Sequence, residues 1–134
     1  MMYYFWVFYI KNSFNPSAPG TLVSNDADKT GLQVKAISNL DDQTMFNVSG
    51  PGMKGMVGMA SRVFATMSRE NISIVLISQS SSEYCISFCI HSSDARLAEE
   101  SLKQEFELEL LNALLEPIAL KSDLSIVSLV AWRL

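Results

Sequence analysis

The chain predicts an α+β fold, a ferredoxin-like βαββαβ unit with additional flanking strands. Three observations carry that expectation. From Thr44 to His91 a strand pattern (TMFNVSG) passes through a glycine-punctuated turn into an amphipathic helical pattern, then into two further apolar strands. A second helical pattern starts near Asp94, and a short apolar run follows Pro117. The hydrophobic period thus switches between that of a strand and that of a helix in the order a split β-α-β unit requires.

The 134 residues make room for one domain, and 49% hydrophobic content is enough for a core. A net charge of −4 and a pI near 4.9 leave no global field to attract nucleic acid or an anionic membrane. No apolar run reaches the roughly 17 residues of a membrane span. Cys85 and Cys89 are four apart on one expected strand, about 13 Å by the usual rise and too far to bridge. They read as reduced thiols of a cytoplasmic protein, which makes the sequons at Asn47 and Asn71 chance matches.

The elements follow in order. The aromatic start, MMYYFWVFYI, has no basic n-region or small-residue cleavage point and reads as a buried strand or the edge of a larger domain. Asn15-Pro16 and Pro19-Gly20 mark turns feeding a short strand near Thr21–Val23, and Ser24 to Gly31 is linker-like. Leu32 to Ser38 alternates as a half-buried strand, Asn39 to Gln43 reads as a polar turn, and Thr44 to Ser49 as the next strand. From Met53 the period is helical, with Met53, Met56, Val57, Ala60, Val63, Phe64 and Met67 on one face. Ile72, Ile74 and Leu76 alternate with Val75 and Ile77, so this strand is apolar on both sides and asks for cover from another domain or subunit. Tyr84, Ile86, Phe88 and Ile90 form one face of its hairpin partner. The final helix carries Ala98, Leu102, Phe106, Leu110 and Leu114 as one stripe and Leu108, Leu111 and Leu115 as a second, and it stops before Pro117. Ile118–Leu120 and Leu124–Ala131 read as two separate strands.

The turn Gly50-Pro51-Gly52 is the expected functional spot, because backbone N–H groups and a helix N-terminus there suit a small anionic or zwitterionic ligand. Glycines at Gly55 and Gly58 suggest close approach by a ligand or by another backbone. Catalytic signatures are weak. His91 is the single histidine, so neither a zinc site nor a Ser-His-Asp arrangement has support. Gly50-x-Gly52-x-x-Gly55 fits the dinucleotide fingerprint in spacing, but the acid expected about 20 residues on is missing, Glu83 being the first one available.

Several runs closely resemble the regulatory part of the aspartokinase family, in its threonine-sensitive branch fused to homoserine dehydrogenase. They are Phe46 to Ala60 (FNVSGPGMKGMVGMA), Arg62-Val-Phe, Ile72 to Glu83 (ISIVLISQSSSE), Ile10 to Leu22 (IKNSFNPSAPGTL) and Val34 to Asn39 (VKAISN). The resemblance implies an ACT domain at 44–121, a ferredoxin-like module that binds amino acids. Residues 1–31 would be the remnant of a kinase-domain end and linker. Residues 32–43 would be a strand belonging to a tandem ACT sheet, and 122–134 the first strand of a truncated second ACT domain. Catalytic residues, and with them ATP, Mg and NAD(P), would belong to domains outside the chain, so no cofactor is expected beyond threonine as effector.

By the same resemblance the effector site comprises Met53, Met56, Gly58, Met59 and Ala60, the strand residues Ser73, Ile74 and Val75, and the polar residues Gln79, Ser82 and Glu83. Gln79 matches the glutamine of threonine-sensitive enzymes. Val75 stands where lysine-sensitive relatives carry an aspartate, which favours threonine over lysine. A homodimer through the ACT sheets is the expected assembly, in the cytoplasm or, for a eukaryotic source, a plastid. Two other readings stay open: an ACT-type dimerisation module without a ligand, and a dinucleotide-binding fragment.

Overall fold

The computed structural model describes residues 7–23, 34–54, 57–79 and 85–131. They divide into two compact units, Ser38–Ser128 and a smaller one built from the two chain ends up to Ile37 and from Leu129. In the smaller unit β1 (Phe8–Ile10) pairs antiparallel with β2 (Thr21–Val23) across the expected turns. Of the two readings of the aromatic start, a buried strand or the edge of a larger domain, the described part is exposed, Phe8, Tyr9 and Ile10 each showing more than half of their surface. The linker 24–31 and the first residues of the strand expected from Leu32 lie outside the described residues.

A four-stranded sheet contains β3 (Val34–Ser49), β4 (Ile74–Gln79), β5 (Cys85–His91) and β6 (Ala119–Ala131), in the order β4-β5-β3-β6. The helix α1 (Met59–Arg69) connects β3 to β4, and α2 (Ala95–Glu105) with α3 (Glu107–Leu111) connects β5 to β6. This is the β-α-β-β-α-β order and the strand arrangement of a ferredoxin-like unit. β5 pairs antiparallel with both β3 and β4. β6 runs antiparallel to β3 as well, since Glu116 N–H donates to Ser49 O, Thr44 bonds Ser122, and Ser125 bonds Asp41.

One face of the sheet makes the core. Phe46 and Val48 of β3 and Ile86, Phe88 and Ile90 of β5 meet Val63 and Met67 of α1 and Ala98 and Leu102 of α2, all buried, with Phe106 closing the end. Phe46 stacks on Phe88 at 5.4 Å between centroids, and Phe64 meets Phe88 edge-on at 6.3 Å. Burial of this kind contributes about 1.5–3 kcal/mol per large side chain and dominates the stability of the unit.

Several expected boundaries are corrected. The polar turn at Asn39–Gln43 does not exist; β3 runs straight through it. Asp42 takes φ 57, a left-handed conformation aspartate tolerates, which kinks the strand and leaves Gln43 and Thr44 both buried. The expected gap between Ile118–Leu120 and Leu124–Ala131 is likewise one continuous strand with a kink at Asp123, φ 56. Ser125 Oγ donates to Asp41 Oδ1 at 2.7 Å, tying the two bent strands together beyond β5. The Asp41 carboxyl, taking bonds from Ser125 and then Asn39, is held below the usual range.

The helices also begin and end differently. Residues Pro51–Met53 form a short 3-10 turn, and α1 starts only at Met59, so Met53 joins the core from a loop. Of the expected stripe, Val57 is fully exposed and Ala60 exposed, while Thr66, outside that stripe, is buried with its hydroxyl donating to Arg62 O at 2.9 Å. The long final helix breaks at Phe106 and ends before Ala113, φ 54. Its second stripe splits accordingly, with Leu115 buried and Leu108 and Leu111 exposed. Among the described residues no helix is long and apolar enough to cross a membrane.

Candidate functional site

The glycine turn after β3 is not an open cradle. Gly52 N–H donates to Leu114 O at 2.7 Å, and a Cβ on Gly50 or Gly52 would fall 2.6 or 2.7 Å from that same oxygen. Ser49 O accepts from Glu116 N–H at 2.8 Å, and Ser49 Oγ donates to Glu116 Oε2 at 2.8 Å. The turn is glycine-rich because the backbone of residues 114–116 lies against it. The N–H that a ligand, or a dinucleotide phosphate, would need at Gly52 is thus already engaged. Gly55 of that fingerprint lies outside the described residues.

Gly58 behaves oppositely. It takes φ +95 at the N-cap of α1, a conformation L side chains rarely adopt, and among the described residues nothing beyond its neighbours in the chain and helix lies within 4 Å of where its Cβ would be. No side chain caps α1 and no acid sits in its first turn. The first intrahelical bond at this end runs from Arg62 N–H to Gly58 O, at 3.0 Å. An α-helix leaves its first N–H groups without intrahelical partners, and the helix dipole there favours an anion. Gly58 and Ala60 are exposed at this end, whereas Met59 is buried and belongs to the core.

The register places the strand residues. Gln79 opposes Ile86, which opposes Val48, so Gln79 ends β4 level with the point where β3 leaves for the glycine turn. α1 returns antiparallel to these strands, which brings its N-terminal end and Gln79 to the same end of the sheet. Ser73 and Ile74 lie at the other end, in a shallow cavity of about 330 Å³ lined also by Phe64, Met67, Ser68, Asn71 and Ile72. Val75 stands between the two ends and is 43% exposed. Of the residues expected to form the site, Gly58, Ala60 and Gln79 thus gather at one end. Met53 and Met59 support them from the core, and Ser73 and Ile74 do not join them. Met56, Ser82 and Glu83 lie outside the described residues.

A bulge in β4 reassigns its faces. Ile74 opposes Ile90 and Leu76 opposes Cys89, so Val75 is the extra residue. Directly opposed residues share a face. Ile77, opposite Phe88, and Gln79, opposite Ile86, therefore lie on the helix side of the sheet, and Leu76 and Ser78 on the other. Simple alternation had put Leu76 with Ile74 and Ile77 with Val75, and it misses Ile77 as a residue of the helix side.

Arg62, one turn into α1, is the other residue whose role was not foreseen. Its Nε donates to Glu105 Oε1 at 2.9 Å, its Nη2 to Glu105 O at 2.8 Å, and its Nη1 to Glu109 Oε1. Its guanidinium also stands 4.6 Å from the Phe106 ring centroid. Arg69 joins through Glu105. These partners hold the Glu105 carboxyl, through Arg69 first and Arg62 second, and the Glu109 carboxyl, through Arg62, below the usual value of 4.5. Glu105 of α2 and Glu109 of α3 thus clamp α1 through Arg62. His91 is a cap: its Nδ1 accepts from Ser93 N–H at 3.3 Å. Cys85 Sγ donates to Asn47 Oδ1 at 2.6 Å, and burial pushes the Cys89 thiol up. Among the described residues no group of three or more His, Cys, Asp or Glu could hold a metal.

Comparison with known proteins decides the family. The ACT domain family matches residues 46–106, from β3 through α2. The chain carries an ACT domain of the aspartokinase regulatory type. It is 57% identical over 121 residues to the bifunctional aspartokinase/homoserine dehydrogenase of Haemophilus influenzae, covering 90% of this chain and 15% of that protein. The chain therefore spans about 15% of the length of the curated relatives it matches. Among solved structures it is similar to Escherichia coli aspartokinase III in complex with lysine and aspartate, with a TM-score of 0.66 and 25% identity, over 93% of this chain and 26% of that one. The ligand-free regulatory subunit of aspartate kinase from Thermus thermophilus shares the fold, with a TM-score of 0.57 and 22% identity over 73% of this chain and 63% of that one.

Proposed function

We propose that this ACT domain binds threonine as the allosteric effector of an aspartokinase fused to homoserine dehydrogenase, in threonine, methionine and lysine biosynthesis. The observation that carries the reading is the α1 N-terminus. Gly58 opens it by its left-handed φ, no atom of the described residues beyond its chain neighbours and the helix backbone lies within 4 Å of its Cβ position, and Gln79 ends β4 at the same end of the sheet. Backbone N–H groups there suit the effector's carboxylate, and the Gln79 amide suits its ammonium or hydroxyl. The Haemophilus relative supports the fused context. Lysine, the ligand named for the Escherichia coli enzyme, is disfavoured because β4 carries no acid from Ile74 to Gln79 to pair with a cationic side chain.

On this reading the segment contributes regulation, and phosphoryl and hydride transfer, with ATP, Mg and NAD(P), belong to other parts of such an enzyme. β4 is an edge strand, and Val75, Leu76 and Ile77 are exposed along it, which favours a homodimer through the ACT sheets in the cytoplasm. Calorimetric titration with threonine, lysine and NAD tests the assignment. Heat with threonine alone is expected. Heat with NAD would favour a dinucleotide fragment, and silence with all three would favour a pairing module without a ligand.

A further inference from the structure

We propose that Ile77 is a specificity-determining contact of this site, the apolar surface against which the methyl group of threonine packs; this rests on the threonine reading above. The inference comes from the bulge at Val75. Because Val75 is the unpaired residue, β4 resumes with Leu76 opposite Cys89, and Ile77 opposes the buried Phe88. Ile77 therefore shares the sheet face of the core, yet it remains 53% exposed. A core-side position on an edge strand that stays half open marks where the covering helix falls short.

The contacts of Phe64 fix which part of α1 stands over it. Phe64 packs on Phe88 and lines the cavity that reaches Ile74. Phe88 opposes Ile77, so Phe64 stands near the level of Ile77, and Ala60, about 6 Å further toward the α1 N-terminus, stands nearer the level of Gln79, which is about 7 Å further along β4. Ala60 has only a methyl group, and Gly58 has no side chain. β4 thus carries Ile77 and Gln79 on its helix side toward the α1 N-terminus, whose first residues include Ala60 and follow Gly58. The chemistry there is one apolar branch beside one amide, which suits an amino acid carrying a methyl and a hydroxyl on the same carbon. Ser78, opposite Ser87, lies on the other face and takes no part.

Threonine and serine differ by that methyl, so the test is their titration into the full chain as wild type, Ile77→Ala and Ser78→Ala. Ile77→Ala is expected to weaken threonine by about fourfold, the value of one buried methylene, and to leave serine unchanged. Ser78→Ala is expected to change neither. Equal weakening of both ligands, no weakening, or an altered threonine-to-serine ratio in Ser78→Ala instead would overturn the role of Ile77 while leaving the threonine reading standing. A wild-type chain that takes up neither amino acid would overturn the threonine reading and the Ile77 contact with it. If Ile77→Ala does not fold, Ile77→Thr keeps the β-branch and is expected to lower the threonine-to-serine ratio in the same direction.

Discussion

Alanine at Gly52 and alanine at Gly58 should do opposite things, and the structure says by how much. At Gly52 the new Cβ would sit 2.7 Å from Leu114 O and 2.9 Å from Leu114 Cβ, against an ordinary contact of 3.4 Å or more. The loop after α3 must retreat by about 0.7 Å, which strains or breaks the Gly52 N–H bond to Leu114 O. Losing that bond costs about 1 kcal/mol, and overpacking against backbone costs about 1–3 kcal/mol more. A total near 2–4 kcal/mol should lower the melting temperature by roughly 10–20 °C in a domain of this size. Threonine affinity of the fraction that stays folded should be unchanged. At Gly58 no atom of the described residues beyond its neighbours in the chain and helix lies within 4 Å, so the cost is that of a left-handed L-residue, about 1–2 kcal/mol. That methyl, however, projects into the open space beside α1, and threonine binding should fall at least tenfold. Circular dichroism melts and calorimetry on both variants decide the matter. A Gly52→Ala protein as stable as wild type but unable to bind threonine would refute the assignment of the glycine turn to packing.

The remaining predictions concern the helix clamp, the effector amide and assembly. Arg62→Met should cost about 1–2 kcal/mol in urea denaturation, kept modest because the guanidinium is 37% exposed. Glu105 and Glu109 titrate below 4.5 in the folded state, so their contribution is complete above about that pH and is lost as pH falls through the folded values. Wild type should therefore lose stability in acid more steeply than Arg62→Met, and parallel profiles would contradict the clamp. Gln79→Ala should abolish threonine binding without changing the melting temperature, because Gln79 is exposed at the end of β4; unchanged affinity would place the effector elsewhere. Sedimentation at micromolar concentration should find a homodimer, and a clean monomer that binds no apolar dye would contradict it.

Much of the architecture was legible because periodicity reports burial directly. Phe46, Val48, Ile86, Phe88 and Ile90 alternate in sequence and share the core face, and Ala98, Leu102 and Phe106 recur at helical spacing. What failed to show in sequence is what single residues do to the backbone. Asp42 and Asp123 look like turn residues, yet in left-handed conformations they keep β3 and β6 continuous. The bulge at Val75 inverts the faces of Leu76 and Ile77, and no pattern of apolar residues records it. The glycines could be read only as demands for space. That residues 114–116 occupy it at Gly50 and Gly52, and among the described residues nothing beyond its neighbours does at Gly58, depends on a chain segment about sixty residues away. The ion pairs of Arg62 are similarly non-local.

The central claim, an effector site at the α1 N-terminus rather than in the glycine turn, is tested most directly by following backbone amide resonances during a threonine titration. The largest saturable shifts should fall on Gly58, Met59, Ala60 and Gln79, with Gly50, Gly52 and the Leu114–Glu116 segment nearly still. Shifts concentrated at Gly50 and Gly52, or no saturable shift at millimolar threonine, would contradict it.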